Sequence, residues 1–290
     1  PYSIADERCA AFFALGMAQQ LKEPVAIVCT SGSALLNYYP AIAEAFYSQI
    51  PLIVISADRP TSKIDIGDGQ TIRQANVFEN HILFNANLEE NVSVANDTLI
   101  HNAIYTAVLK KGPVHINAPF EEPLYDIVSE LSVSPKAIEQ PKQESVAINW
   151  DFLQSSWDKA AKKLILIGVQ DQNVIPEHII QQWNLDPSIV VLTEVTSNIR
   201  TSNFINSIDS LITSFTDAEF KMLQPDILIS IGGMVVSKRI KKFFRSYKPA
   251  AHWHVDLLRA YDTFGALTQH VVVTPSSFFS TITYGQTASN

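Results

Sequence analysis

The sequence predicts an α/β protein built as two parallel-sheet domains with helices on both faces of each sheet. Three observations carry that expectation. Short β-rich runs alternate with helical stretches along nearly the whole chain, the strand runs are continuously apolar, and a Ser-, Pro-, Lys-, Gln- and Glu-rich stretch divides the alternation in two. A strand that is apolar at every position has no solvent side, so helices must cover both of its faces.

The first element is a helix. Residues 9–18 hold no charged or polar side chain, small and straight-chain residues dominate, and no β-branched residue occurs between Ile4 and Val25. Ser3 and Asp6 have capping-box spacing at its start, and Lys22 and Pro24 end it. Apolar residues cover its whole circumference, so two faces need cover, from a large domain interior or a subunit interface. Glu7 leads into this helix. Its plain role is an acid in the first turn, favoured by the helix dipole. Its functional role is a carboxyl group near a buried surface, where burial can outweigh the dipole and a proton can be kept or shared.

The rest of a first domain over 1–125 reads as strand 25–29, helix 33–47, strand 52–56, a short helix near 71–78, strand 82–88, helix 97–110 and strand 114–117. Linker composition follows, with Pro135 and Pro141, and places a linker at 126–149. A second domain over 150–290 reads as strand 164–169, helix 176–183, strand 189–193, helix 217–223, strand 227–231, helix 237–247 and strands 252–255 and 271–273.

At 290 residues the chain is long enough for two domains with real cores. Hydrophobic residues at 47% and charged ones at 17% read as soluble and globular, with no run long enough to span a bilayer. A net charge of -8 disfavours nucleic acid and anionic membrane as partners, and Lys238, Arg239, Lys241, Lys242 and Arg245 form only one short basic cluster. Cys9 and Cys29 are the only thiols, which excludes a disulfide framework and a cysteine-rich metal site and fits a reduced, cytoplasmic setting. No signal-peptide pattern opens the chain, and a start without Met, almost at a helix cap, leads us to expect further residues upstream.

Several short motifs bear on chemistry. Thr30, Ser31, Gly32 and Ser33 join a buried strand to a helix, a turn that aims backbone N–H groups at a ligand, while a Ser33 N-cap after a tight glycine turn explains the same residues. Arg59, in Ala57-Asp58-Arg59-Pro60, ends a strand at the carboxyl edge of the sheet and is a natural fork for a carboxylate, or else a partner for Asp58. Gln70 in the following polar loop either reaches the same ligand or is simply solvated. Neither G-x-G-x-x-G nor a Walker A sequence occurs, and Gly67, Asp68 and Gly69, which look like the start of a diphosphate and magnesium motif, lie in a polar loop without the strand that such a motif needs. His252 and His254 share one strand face but have no third ligand, so no metal site is assigned. Lys238 and Arg239 open a helix, where the dipole disfavours cations and an anion nearby would offset the placement.

Taken together, Asp6-Glu7-Arg8 before an Ala- and Phe-rich helix, Cys29-Thr30-Ser31-Gly32-Ser33-Ala34, Ala57-Asp58-Arg59-Pro60, Gln70 with Ile72-Arg73-Gln74, and His115-Ile116-Asn117-Ala118-Pro119-Phe120 with Glu122-Pro123-Leu124 resemble the MenD family. These are thiamine diphosphate-dependent synthases of menaquinone biosynthesis that make 2-succinyl-5-enolpyruvyl-6-hydroxy-3-cyclohexene-1-carboxylate. The resemblance is specific from residue 2 to about 124 and looser beyond, mainly over 232–239. It implies a thiamine-enzyme pyrimidine-binding domain followed by a Rossmann-like central domain, with an opening segment and a third domain, which holds diphosphate and Mg2+ or Mn2+, outside this chain.

By matching position, Glu7 is the catalytic glutamate. It shares a proton with N1′ of the aminopyrimidine and so favours the tautomer that deprotonates the thiazolium carbon. The resemblance places Thr30, Ser31 and Gly32 against the cofactor, and makes Arg59, Gln70, Lys238 and Arg239 the groups that hold the carboxylated substrate or intermediate. It further implies 2-oxoglutarate and isochorismate as substrates, a homodimer or homotetramer with interfacial cofactor sites, and neither cofactor binding nor turnover by this piece alone. Ser33 stands where Thr is more usual in the family, and Asp68-Gly69 where an Ala-Asn pair is common. Two other readings are another thiamine diphosphate-dependent decarboxylase or lyase, sharing Glu7 without Arg59 and Gln70, and a non-catalytic assembly or regulatory module acting through the basic helix.

Overall fold

The computed structural model describes residues 1–121, 127, 129–130, 133–134 and 146–282; the Glu122-Pro123-Leu124 motif, Pro135 and Pro141 lie outside the described residues. The chain divides into two compact units, Pro1–Gln143 and Glu144–Asn290.

In the first unit, α1 (Glu7–Leu21), β1 (Val25–Cys29), α2 (Ser33–Leu36), α3 (Tyr39–Tyr47), β2 (Leu52–Asp58), β3 (Asn85–Asn87), α4 (Val94–Lys110) and β4 (Val114–Pro119) follow in order. The strands form one parallel sheet in the order β1-β2-β4-β3. Helix α1 is capped by Asp6, whose carboxylate accepts the Cys9 N–H at 2.8 Å, and it closes on Lys22 in the left-handed region at φ 60°. Asp6 itself, not the Ser3 and Asp6 pair, is therefore the start signal. Ala11, Ala14, Leu15 and Ala18, spaced by three and four, form the buried stripe of α1, and their small size lets the helix lie close to Ile27, Leu52 and Val54 of the sheet. The opposite stripe is open: Phe12 and Phe13 are each nearly half exposed.

Helix α4 covers the other face, with Ala103 and Ala107 packed among Ile53, Ile55 and Ile116. It reaches β2, β4 and β3. Strand β1, at the sheet edge, is left uncovered on that side, and Val28 is 68% exposed. The expectation of strands buried on both faces thus fails at β1 because of its edge position. Helix 33–47 is broken into α2 and α3 at Asn37 and Tyr38, with Pro40 in the first turn of α3. No helix forms near 71–78; positive φ at Gln70 (53°) and Asn76 (60°) interrupts any helical run, and only a 3-10 turn at Glu79–His81 follows. Strand 82–88 shortens to the three residues of β3, although Leu83 and Leu88 still donate to the carbonyls of Pro113 and Asn117 beside it.

In the second unit, α5 (Trp150–Lys159), β5 (Lys163–Ile167), α6 (Glu177–Leu185), β6 (Ile189–Thr193), α7 (Ile208–Ile212), α8 (Asp217–Leu223), β7 (Ile227–Ile231), α9 (Lys238–Ser246), β8 (Ala251–Val255), β9 (Gln269–Val271) and α10 (Pro275–Thr281) build a parallel sheet in the order β6-β5-β7-β8-β9. Every residue of β5 and β7 is buried. Ile165, Ile167, Ile229 and Ile231 face Trp157, Ile179, Trp183, Phe278 and Phe279 of α5, α6 and α10, while Leu164, Leu166 and Leu228 face Ile208, Ile212, Ile240, Phe243 and Phe244 of α7 and α9. The period-two alternation of the strands therefore feeds two separate helical layers. Helices α5, α7 and α10 were not expected from the sequence pattern, yet Asn149 and Thr274 cap α5 and α10 as start signals.

Candidate active site

The parallel strands of the first unit end together, with Cys29, Ser56 and Asn117 in register across β1, β2 and β4. Helix α1 packs along β1. Its half-buried Glu7 is felt electrostatically by both Cys29 at the end of β1 and Tyr38. Burial pushes the Cys29 thiol up to about 11, the Tyr38 hydroxyl lowers it, and the Glu7 charge adds to the rise. The Tyr38 phenol is pushed up for the same leading reason, desolvation, and donates to the Val28 carbonyl at 2.9 Å. The carboxyl edge thus holds one half-buried acid beside groups that stay neutral, an arrangement able to hold or move a proton at a ring nitrogen.

The turn after β1 is shaped by glycine. Gly32 has φ 84° and ψ −149°, and a β-carbon there would meet the Gln70 carbonyl oxygen at 3.0 Å. Thr30 is exposed and Ser31 buried. Gly32, not Ser33, holds the cap position, and α2 is only four residues long. The Gly32 N–H does not point at a ligand; it donates to Oε1 of Gln74 at 2.7 Å. What Gly32 supplies is the lack of a side chain against the Gln70 backbone, which lets these two residues come together.

Gln74 opens a buried polar network that the sequence argument missed. Its Nε2 donates to the Ala57 carbonyl at 3.0 Å and to Asn117 Oδ1 at 2.9 Å. Ser56 Oγ donates to the same Asn117 Oδ1 at 2.7 Å and lies 2.7 Å from His115 Nε2. Asn117 Nδ2 donates to Asp58 Oδ2 at 2.7 Å, and Asp58 Oδ1 accepts the Arg59 backbone N–H at 2.8 Å. Arg59 is half-buried at this edge, and Gln70 is exposed. Desolvation pulls His115 down to about 4, so the ring is neutral at pH 7.

Gly67, Asp68 and Gly69 lie in an exposed loop where Asp68 bonds the Gly69 N–H. Lys238 and Arg239 belong to the second unit, exposed in the first turn of α9. Two acidic side chains meet the backbone and hydroxyl groups just ahead of them, at the start of α9. The Glu194 carboxylate accepts the Val236 and Ser237 N–H groups at 2.7 and 2.6 Å, and Asp209 accepts from the Ser237 hydroxyl. His252 and His254 do share a face, but both rings bond Ser230 Oγ, at 2.7 and 2.9 Å. Among the described residues no group of three or more His, Cys, Asp or Glu is placed to hold a metal ion, and no helix is long and apolar enough to cross a membrane.

Comparison with known proteins bears on what this edge is for. Residues 2–82, which include Glu7, the glycine turn, Arg59, Gln70 and Gln74, match the family model described as thiamine pyrophosphate enzyme, N-terminal TPP binding domain. The chain is 65% identical over 97% of its length to a 2-succinyl-5-enolpyruvyl-6-hydroxy-3-cyclohexene-1-carboxylate synthase of Flavobacterium johnsoniae, of which it covers 51%. It is 66% identical over 96% of its length to the synthase of the same name from Flavobacterium psychrophilum, covering 50%, and 50% identical over 93% to that of Christiangramia forsetii, covering 51%. The chain spans about half the length of these curated relatives. With that identity sustained through both units, the chain is similar over nearly its whole length to about half of each of these 2-succinyl-5-enolpyruvyl-6-hydroxy-3-cyclohexene-1-carboxylate synthases, and over residues 2–82 to the N-terminal TPP binding domain of thiamine pyrophosphate enzymes.

Proposed function

We propose that the protein to which this chain belongs decarboxylates 2-oxoglutarate and adds the resulting succinyl semialdehyde unit to isochorismate, in the cytoplasmic synthesis of menaquinone. The observation that carries the reading is identity of 65% along 97% of the chain to a relative named for that product. The residues present fit the pyrimidine half of the cofactor: a half-buried acid stands near Cys29 at the end of β1, and the Gly32 turn follows that strand. By the family resemblance, the diphosphate and its Mg2+ or Mn2+ are assigned to the remainder of the protein.

When bound, thiamine diphosphate supplies a carbon nucleophile that takes up the electrons released on decarboxylation. Glu7 holds a proton at N1′ of the pyrimidine. Thr30, Ser31 and Gly32 border the ring. Arg59 and Gln70 hold a substrate carboxylate, Lys238 and Arg239 are assigned to anionic substrate by the family resemblance, and such cations give anionic substrates a local attraction within an acidic chain. A homodimer or homotetramer that closes the cofactor site at a subunit interface accounts for the open apolar stripe of α1 at Phe12 and Phe13.

The test is to assay the complete protein with isochorismate, 2-oxoglutarate, thiamine diphosphate and Mg2+. Formation of the succinylated cyclohexene carboxylate supports the reading. Decarboxylation of a different 2-oxo acid with no use of isochorismate instead identifies another thiamine-dependent lyase.

A further inference from the structure

Gln74 is fully buried although Arg73 and Ala75 on either side of it are exposed and the segment has no regular secondary structure. A carboxamide taken out of water is unfavourable unless each of its donors and acceptors finds a partner. Gln74 finds them on three separate segments: the Gly32 N–H on its oxygen, and the Ala57 carbonyl and Asn117 Oδ1 on its nitrogen. The assignment of oxygen and nitrogen is forced, since a flipped amide would set N–H against N–H and oxygen against two oxygens. The partners are also not interchangeable with any loop anchor. One is the backbone of the glycine in the turn near Glu7, and the other leads through Asn117 Nδ2 to Asp58 Oδ2, whose second oxygen accepts the Arg59 N–H.

We infer that Gln74 is a positioning residue that holds the cofactor-side turn at Gly32 and the substrate-side backbone at Arg59 in one fixed relation. The inference rests on the functional reading above and adds a residue to it. Gln70, four positions earlier, has its backbone against Gly32, so the loop from Gln70 to Gln74 is tied to the turn at both of its ends. Glutamine alone suits the position. Methionine fills the volume with no hydrogen bond, while glutamate keeps the acceptor for Gly32 but places an oxygen against Ala57 O and Asn117 Oδ1.

The test uses the full-length protein and two variants. Hydrogen exchange at the Gly32 amide is slow in the unsubstituted protein and about 10-fold or more faster in Gln74→Met, because a buried donor has lost its acceptor. In the same variant, affinity for thiamine diphosphate falls about 10-fold and KM for the 2-oxo acid rises, while kcat at saturation stays within about 3-fold because Glu7 is untouched. Gln74→Glu keeps the Gly32 amide protected and the cofactor affinity intact and raises only the KM for the 2-oxo acid. Loss of melting temperature in either variant without these shifts makes Gln74 an ordinary structural anchor and overturns the inference. So does a Gly32 amide that exchanges freely in the unsubstituted protein, a measurement that stands even where a variant folds poorly. An unsubstituted full-length protein that neither binds thiamine diphosphate nor consumes a 2-oxo acid defeats the functional reading and takes the inference with it, and that result is distinct from normal catalysis with an indifferent Gln74.

Discussion

Gly32 is where one methyl group tells most. Its φ of 84° and the 3.0 Å approach to the Gln70 carbonyl oxygen leave no relaxed place for a β-carbon. Gly32→Ala is expected to lower the stability of the first unit by about 1–3 kcal/mol, read from denaturant midpoints. His115 makes a second prediction. Its folded value of about 4 lies below the ordinary 6.5 because burial disfavours the charged ring, so between those values the unfolded chain binds more protons than the folded one. Stability is complete above about pH 6.5 and is lost as pH falls toward 4, at up to about 1.4 kcal/mol per pH unit for each such histidine. His252, pulled down to about 4 by burial and then by the neighbouring His254, behaves alike in the second unit. Urea midpoints measured from pH 7.5 to 5 should show the loss, and His115→Asn should flatten its share. Glu7, Gly32 and Gln70 stand out in the sequence as candidates because a lone acid before an apolar helix, a glycine after a strand and a motif spacing are local signals. Gln74, Ser56 and Asn117 do not. A glutamine in a polar loop reads as solvated, and its burial depends on a partner 42 residues away, just as Ser56 depends on one 61 residues away.

Among the elements, α1 carries the clearest test of how a start signal is read. The Cys9 N–H is held by Asp6, and Asp6→Ala should lower the denaturant midpoint of the first unit whereas Ser3→Ala should leave it unchanged. On its buried stripe, Ala14→Leu overfills the contact with the sheet and is expected to cost about 1–3 kcal/mol. Strands were the most legible elements: β1, β6 and β7 occupy the positions that their apolar runs mark. The segment from Asp65 to Phe78 was the least legible. Its conformation is set by positive φ at Asp65, Gly67, Gln70 and Asn76 and by long-range bonds of Gln74, none of which leaves a periodic trace. Helices α5 and α10 were missed although their caps and apolar spacings are present, because an aromatic-rich short segment carries too weak a pattern to stand out beside a linker or a chain end.

At the scale of the whole molecule, two units each close their own hydrophobic core, the second with two full layers of helices and the first with β1 bare on one face. At the carboxyl edge of the first sheet, an acid lies near the end of β1, and the backbone N–H groups of Gly32 and Arg59 are held by the side chains of Gln74 and Asp58. The central proposal is that Glu7 governs a proton on a thiamine ring. The most direct measurement is the rate at which the thiazolium C2 hydrogen of thiamine diphosphate, bound to the full-length protein, exchanges with deuterated solvent. We predict that Glu7→Gln slows this exchange by about 100-fold or more while the cofactor stays bound; equal rates in the two proteins would contradict the claim.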